Sequence, residues 1–299
     1  MKIATYSLQG VENVGVLTPG GDALCPLGAF GYDCGDMLQA IRLLDRGEVS
    51  RLSARLSARL AGGEAPGALP LDSVTLLAPI PRPEQDILCL GVNYAEHALE
   101  CGFINEALRS RKAEPAIYFS KRVSRAVDPE APVDSHPDLV DDLDYEAELA
   151  VIVGKDALNV AENDAESYIF GYTILNDISA RTLQRTHKQW YRGKSLDGFT
   201  PMGPWIVTAD EIPYPPVLDI GTRVNGQLRQ NSSTGCLIHG VGEILSEISA
   251  GMTLKAGSVI ATGTPAGVAM GMAQPKYLRA GDVVECFIQG IGTLRNPVK

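Results

Sequence analysis

The chain has 299 residues and a formal net charge of −10 at pH 7, with 45% hydrophobic and 21% charged residues. This length suggests about two domains, and the composition is that of a globular protein with a sizeable core. The acidic balance argues against nucleic acid as a partner, because phosphate backbones require basic patches. No apolar run approaches the ~20 residues of a membrane helix, so no membrane partner is expected.

The beginning of the chain and its cysteines bear on the compartment. The first ten residues, MKIATYSLQG, contain no hydrophobic signal-peptide region. The six cysteines are scattered and form no C-x-x-C pair. We therefore predict a cytoplasmic protein whose thiols are free and mostly buried.

Residues 1–72 are predicted to form a small N-terminal α/β domain. Strand-like pieces, KIATYSLQ and NVGVLT, lead into a helix predicted from about Asp36 to Leu60. Leu52, Leu56 and Leu60 recur every four residues, so they form one apolar stripe flanked by arginines. We favour packing of this stripe on its own domain, with membrane or partner binding as the alternative. Gly and Pro in residues 61–70 are typical of a linker.

Residues 73–299 are predicted to form the second, larger domain. Short β-like runs broken by Gly and Pro, with few helices, predict a mostly β (α+β) fold with a mixed sheet. The segment VNGQ at 224–227 predicts a two-residue β-hairpin. Short helices are expected at 93–111, as a helix or helical lid, and at 179–189.

The stretch DDLDYEAELAVIVGK, residues 141–155, combines a buried strand with acidic residues. The continuous apolar run from Leu149 to Val153 is typical of a strand covered on both faces. Asp144, Glu146 and Glu148 are spaced by two, so on a strand their carboxylates point the same way. Like charges placed together repel and resist desolvation, and a hard divalent cation would relieve that repulsion. The alternative is a solvated strand end.

Asp177 offers a further carboxylate. In YTILNDISARTLQ it closes an apolar strand and precedes a predicted helix. It can be a metal ligand or the helix N-cap. Asn176 or Ser179 can serve as the cap instead, so the two interpretations are compatible.

His97 and Glu100 lie three residues apart and therefore share a face if their segment is helical. A glutamate beside an imidazole orients the ring and raises its basicity, as a general base requires. The alternative is an ordinary surface pair.

Two further segments suggest ligand binding. Lys194 lies in a G-K-S sequence, but a phosphate loop needs glycine five residues before Gly193, and Lys188 occupies that position. The compact segment TGTPAG, 262–267, could hold a substrate carboxylate through its backbone N–H groups and the Thr264 hydroxyl. It could equally be a tight turn between strands.

Taken in order, several segments together resemble the fumarylacetoacetate hydrolase family. They cover roughly residues 80–299 and are GVNYAEHALE, DYEAELAVIVGK, LNDISARTLQ, GKSLDGFTPMGP and TGTPAGV. The resemblance implies the family's β-roll or sandwich and, usually, a homodimer. Longer members carry a further upstream acidic ligand for which this chain has no clear match.

The resemblance also implies residue roles. Mg²⁺ or Mn²⁺ would be bound by Glu146, Glu148 and Asp177, with Asp144 too far toward the loop. His97 and Glu100 would form a catalytic dyad on a mobile lid, with Lys194 supplying positive charge beside the substrate. The substrate site would be lined by Arg181, Gln184, Thr264 and Lys121. Family members often have proline after that lysine; here Arg122 follows, and we hypothesise that Arg122 and Arg125 meet a distal anionic group.

The implied substrate is a small-molecule 2-oxo acid, and the implied enzyme is a metal-dependent hydrolase. It would cleave a C–C bond in a 1,3-diketo acid of the acylpyruvate or fumarylpyruvate type. Water activated by His97 would attack the distal carbonyl, and the cation would stabilise the enolate that forms. The alternatives on the same site are an oxaloacetate-type decarboxylase and a hydroxymuconate-type isomerase or hydratase. An alternative of another class is a catalytically idle binding protein.

Overall fold

The computed structural model describes residues 1–102 and 115–299, and short strands dominate both ranges. The strands are β1 (Lys2–Leu8), β2 (Val11–Leu17), β3 (Ala23–Pro26), β4 (Leu69–Pro70), β5 (Thr75–Leu76), β6 (Ile87–Gly91), β7 (Ile117–Lys121), β8 (Leu143–Asp144), β9 (Ala147–Val153), β10 (Ile169–Asn176), β11 (Ser179–Ala180), β12 (Met202–Thr208), β13 (Asp219–Val224), β14 (Gln227–Ser233), β15 (Val259–Ala261), β16 (Val283–Ile288) and β17 (Gly292–Pro297). The α-helices are α1 (Met37–Leu43), α2 (Arg46–Ala61), α3 (Ala95–Glu100), α4 (Arg181–Thr186), α5 (Tyr191–Lys194) and α6 (Val241–Ser249).

Most of these strands join one large mixed sheet. Its order is β4-β3-β2-β1-β12-β10-β9-β15-β6-β7, with β5 also paired to β1. Strand β9 pairs antiparallel with β10 and β15, whereas β15 and β6 run parallel. A separate four-stranded sheet has the order β14-β13-β16-β17. The mostly β, mixed-sheet prediction is confirmed.

Strand β9 is buried on both faces, which explains its uninterrupted apolar sequence. Leu149 and Val151 belong to one core, shared with β13, β16 and α6. Ala150 and Ile152 belong to a second core, shared with β1, β2, α1 and α2. The strand is therefore a rigid base for the residues that precede it.

The helix predicted from Asp36 to Leu60 is wrong at its middle, where the structure has two helices. Asp45 has extended backbone and its carboxylate accepts the Glu48 N–H at 2.8 Å, so it caps α2 and separates it from α1. Leu52 and Leu56 are buried in the second core, so the leucine stripe packs on its own fold. Of the helices described, none is long and apolar enough to cross a membrane.

The N-terminal strands continue the main sheet. Residues Lys2 and Ile3 of β1 pair with Val207 and Ile206 of β12. The predicted linker ends in a strand, because Leu69 and Pro70 pair with β3. The domain boundary proposed after residue 72 stays a prediction, and the sheet runs across it.

The predicted hairpin and the helix at 179–189 are both confirmed. Asn225 and Gly226 have φ angles of 51° and 76° and join β13 to β14, as a type I′ turn requires. Helix α4 lies within 179–189. Of the helix predicted at 93–111, α3 is observed, and the part from residue 103 lies outside the described residues.

Replacing Asp45 tests the cap that divides the N-terminal helices. We expect Asp45→Ala to lower the free energy of unfolding by about 1 kcal/mol, because the Glu48 N–H loses its acceptor. Asp45→Asn keeps an acceptor oxygen and is expected to stay close to wild type. Urea denaturation measures both, and equal stabilities would contradict the capping role.

Candidate metal centre and active site

Three carboxylates meet where β9 begins beside the end of β10. Glu148 pairs across the sheet with Leu175. Just beyond, the Asn176 side-chain oxygen accepts the Glu146 N–H at 3.0 Å and the Asp177 N–H donates to the Glu146 carbonyl at 2.8 Å. Carboxylate oxygens of Glu146, Glu148 and Asp177 consequently lie within 4.8 Å of one another.

These positions exclude the simpler interpretations. Glu146, Glu148 and Asp177 are 5%, 1% and 0% exposed, so the carboxylates do not form a solvated strand end. Helix α4 has Ala180 at its N-cap position and no side-chain cap, so Asp177 is not a helix cap. The cluster needs another source of stabilisation.

Two buried lysines supply part of it. Lys194 Nζ donates to Glu146 Oε2 at 2.8 Å and to Asp177 Oδ2 at 2.6 Å. Lys121 Nζ donates to the other Asp177 oxygen at 2.7 Å. Burial opposes ionisation of Lys194, but the neighbouring carboxylates outweigh it and raise its pKa. Lys194 is therefore a bridge between two of the three carboxylates.

Arg181 links the cluster to Asp144. Its Nε donates to Asp144 Oδ2 at 2.9 Å, and its Nη1 lies 2.6 Å from Glu146 Oε1 and 3.0 Å from Gln184 Oε1. Asp144 also accepts two backbone N–H groups from the segment 269–270. Both oxygens of the Asp144 carboxylate are therefore occupied by these donors, and Asp144 is not one of the three clustered carboxylates.

Glu148 differs from its neighbours because none of the described cations pairs with it. Its Oε2 accepts the Gly263 N–H at 2.8 Å. Burial, followed by the charges of Asp177 and Glu146, raises the pKa of Glu148 well above its usual value. For Glu146, burial acts in the same direction, but Lys194 and Arg181 outweigh it and lower its pKa to about 2.

A count of formal charges identifies what the cluster lacks. Within the cluster and its direct contacts, four buried carboxylates face three buried cations; the two groups are Asp144, Glu146, Glu148 and Asp177 against Lys121, Arg181 and Lys194. Glu148 is the carboxylate of this set that has no cationic partner among the described residues. Three close carboxylate oxygens with one uncompensated charge fit Mg²⁺ or Mn²⁺, because hard cations prefer oxygen ligands.

The predicted His–Glu pair is present at the start of the segment that follows β6. His97 is 6% exposed, and its Nδ1 lies 3.0 Å from Glu100 Oε1. The Gly267 N–H donates to both Glu100 oxygens, at 3.0 and 2.9 Å. Because Nδ1 is directed to Glu100, Nε2 is the ring nitrogen that remains for a ligand.

His97 of the pair and Glu146 of the cluster line one narrow cleft, with a cavity volume of about 20 Å³. Its lining residues are Leu90, Gly91, Val92, His97, Phe119, Glu146, Arg181, Gln184, Trp190, Lys194, Thr264 and Met270. The cleft therefore brings together most of the residues predicted for catalysis and substrate binding. Lys121 lies behind it against Asp177, and Arg122 is exposed, with its N–H donating to Ser195 Oγ at 3.1 Å.

Thr264 is engaged with the protein itself, through a residue that the sequence did not single out. Its hydroxyl donates to the Ala147 carbonyl at 3.0 Å and accepts from Gln230 Nε2 at 2.8 Å. Gln230 Oε1 in turn accepts the Ala147 N–H at 3.0 Å. The fully buried Gln230 thus clamps the first residue of β9 to the 262–267 turn. A glutamine in a hairpin strand carries no sequence signal for this role.

Comparisons with known proteins agree with this fold. Residues 86–299 match the family described as fumarylacetoacetate (FAA) hydrolase C-terminal. Oxaloacetate tautomerase YisK of Bacillus subtilis (strain 168) is 45% identical over 228 residues, which are 76% of this chain and 74% of that protein. The chain therefore belongs to the fumarylacetoacetate hydrolase family.

Solved structures give the same result. A fumarylacetoacetate hydrolase from Exiguobacterium antarcticum is 39% identical, with a TM-score of 0.83 over 100% of this chain and 99% of that one. A maleylpyruvate hydrolase from Sphingobium sp. SYK-6, solved with manganese(II) and pyruvate, is 30% identical, with a TM-score of 0.77 over 100% and 98%. The predicted family fold is confirmed, and the relatives are enzymes.

Glu148→Gln tests whether this cluster binds a metal. The substitution removes the surplus charge, so without metal we expect thermal stability equal to or above wild type. At a Mn²⁺ concentration one hundred times its Kd, we expect the free energy of unfolding of wild type to rise by about 2.7 kcal/mol. The free energy of unfolding of the variant should stay almost unchanged. Calorimetry with Mn²⁺ measures this, with the exposed Glu162→Gln as a matched control that keeps the gain. An undiminished gain in Glu148→Gln would contradict the assignment.

Proposed function

We propose that this protein is a divalent-metal-dependent enzyme acting on a small 2-oxo diacid, and that it interconverts the enol and keto forms of oxaloacetate. One observation carries the proposal. Glu146, one of the three clustered carboxylates, lines the same cleft as His97, whose ring is held by Glu100. Similarity to an oxaloacetate tautomerase at 45% identity supports the choice of substrate.

Glu146, Glu148 and Asp177 are the residues that would hold the metal, as Mg²⁺ or Mn²⁺. When bound, the cation supplies positive charge that stabilises negative charge developing on the oxygens of the 2-oxo acid. The manganese(II) in the maleylpyruvate hydrolase supports a divalent ion in this family.

Proton transfer falls to the His–Glu pair. In the enol-to-keto direction the enol oxygen loses a proton and carbon 3 gains one, so no water is consumed. His97 Nε2 would hold that proton in transit, and the contact of Nδ1 with Glu100, which leaves Nε2 as the other ring nitrogen, supports this role. Glu100 stabilises the imidazolium while the proton resides there.

Arg181 is suited to bind an anionic oxygen of the substrate. Its Nη2 is buried and has no hydrogen-bond partner among the described residues, whereas Nε and Nη1 are engaged with Asp144 and Glu146. A buried donor without an acceptor costs about 1–3 kcal/mol. A substrate carboxylate or keto oxygen in the cleft would satisfy it, and Lys194 would add positive charge nearby.

Hydrolysis of an acylpyruvate is the second candidate, favoured by the similarity to a maleylpyruvate hydrolase. Here a water oxygen bonds to the distal carbonyl carbon while His97 takes its proton. The C–C bond then breaks, its electron pair stays with the pyruvate fragment, and a proton restores the ketone. The apolar side of the cleft, formed by Val92, Phe119 and Trp190, would accept the distal chain.

Several expectations stay predictions. They include the homodimer and the cytoplasmic location.

Arg122 and Arg125 are both exposed, and Arg125 pairs with Asp128 at 3.0 Å. Their contact with a distal anionic group would be supported if Arg122→Ala and Arg125→Ala raised KM for longer diacids.

One assay separates the candidate reactions. Chelator-stripped protein, with and without Mg²⁺ or Mn²⁺, is incubated with oxaloacetate, acylpyruvates, fumarylpyruvate and a hydroxymuconate-type diacid. Enol absorbance reports tautomerisation, and mass spectrometry identifies products of hydrolysis, decarboxylation or isomerisation. We expect metal-dependent loss of the oxaloacetate enol signal without mass change. Turnover that needs no metal would contradict the proposal.

Replacing His97 tests the proton-transfer role. We expect His97→Gln to lower kcat by about 10²–10⁴-fold, because the transferred proton loses its carrier. Its Mn²⁺ affinity should equal that of wild type, since the ring lies outside the carboxylate cluster. The exposed His187→Gln is the matched control and should retain full activity. Equal kcat in the two variants would rule out His97 as the base.

A further inference from the structure

The turn Gly267–Gly271, which we name the Glu100 cradle, receives the carboxylate of the His–Glu pair. The Gly267 N–H donates to both Glu100 oxygens, at 3.0 and 2.9 Å. At Gly271 an added Cβ would lie 2.6 Å from the Glu100 carboxyl carbon, so a side chain there would require the carboxylate to shift. The cradle therefore holds Glu100 from two sides.

The cradle is attached to the chain that leads into the carboxylate cluster. The Tyr145 hydroxyl donates to the Gly267 carbonyl at 2.9 Å. The Asp144 carboxylate accepts the N–H groups of Ala269 and Met270 at 2.8 and 3.0 Å. Because Asp144 and Tyr145 directly precede Glu146, one short segment both carries the first carboxylate and fixes the cradle.

We propose that Tyr145 is a positioning residue that aligns the His97–Glu100 pair with the carboxylate cluster. Its hydroxyl fixes the Gly267 carbonyl and so the position of that residue, the Gly267 N–H fixes Glu100, and Glu100 fixes the His97 ring. This inference rests on the proposed function and applies equally to tautomerisation and to hydrolysis, since both use His97. A displacement of about 1 Å at the reacting groups can lower the rate about 10²-fold.

The chemistry of Tyr145 allows its structural and positioning roles to be separated. Its ring is fully buried and packs in the core shared with β9. Phenylalanine preserves that packing and removes only the hydroxyl that holds Gly267. Tyr172 offers a matched control, because it is also a buried tyrosine of the same core and does not line the cleft.

The test compares Tyr145→Phe with Tyr172→Phe. For Tyr145→Phe we expect kcat to fall at least tenfold, while KM for oxaloacetate and Kd for Mn²⁺ stay within twofold of wild type. Tyr172→Phe should keep all three values. Unchanged kcat in Tyr145→Phe overturns the proposal, and so does a parallel loss of kcat and Mn²⁺ affinity, which would indicate distortion of the strand.

A readout independent of turnover separates this inference from the proposed function. The protein has four histidines, and the His97 side-chain resonances in a ¹H–¹⁵N spectrum can be assigned by their loss in His97→Gln. We expect Tyr145→Phe to shift them, whereas Tyr172→Phe leaves them in place. Unshifted His97 resonances in Tyr145→Phe would overturn the alignment role, whether or not the wild type is active. Absence of turnover by the wild type would refute the proposed function alone.

Gly271→Ala tests the position of the Glu100 carboxylate independently, at the other end of the cradle. The added methyl would push the Glu100 carboxylate away, so we expect a fall in kcat with unchanged Mn²⁺ affinity. Gly28→Ala is the control, because nothing lies within 4 Å of its added Cβ. Wild-type kcat in Gly271→Ala would count against the cradle, and if this variant does not fold, Tyr145→Phe decides the question alone.

Discussion

The structure of this site depends on an imbalance of buried charge. Burying one ion without a partner costs several kcal/mol, yet four carboxylates lie together here with three cations. The cationic side chains are shared unequally among the three clustered carboxylates. Glu146 and Asp177 each contact two cationic side chains, whereas Glu148 receives only a backbone N–H. Strand β9, covered on both faces, holds that arrangement rigidly, so the charge cannot be relieved by moving the strand into water.

The His–Glu pair is positioned by contacts from outside its own short helix. Helix α3 has six residues, too few to be stable alone. The Asn93 side chain, just before it, donates to the carbonyls of His239 and Thr262 and accepts the His239 N–H. These bonds tie the beginning of α3 to the turn that also supports Glu148. The two halves of the active site therefore share one scaffold.

Features of the fold and site that depend on the spacing of neighbouring residues could be predicted from the sequence. The two-residue period of the acidic residues, the end of the strand at Asp177 and the Asn-Gly turn each follow from backbone geometry. Periodicity could not reveal the cap at Asp45, since the leucine stripe begins only at Leu52 and carries no information about the residues before it. Gln230 and Tyr145 act across 83 and 122 residues, and Lys121 meets Asp177 across 56. Such contacts exist only once the sheets have assembled, so single-sequence reasoning had no access to them.

The ammonium group of Lys194 has a consequence for metal exchange. It bridges Glu146 and Asp177, two of the three oxygen donors proposed for the cation. The Lys194 ammonium group would compete with an incoming cation for these oxygens. The cation would have to displace the ammonium group from at least one of the two carboxylates. That displacement would lower the net affinity for a cation, and without a cation the ammonium group screens the repulsion between the two carboxylates. Lys194 is thus an internal counterion that would make a cation bound at the proposed site easier to exchange.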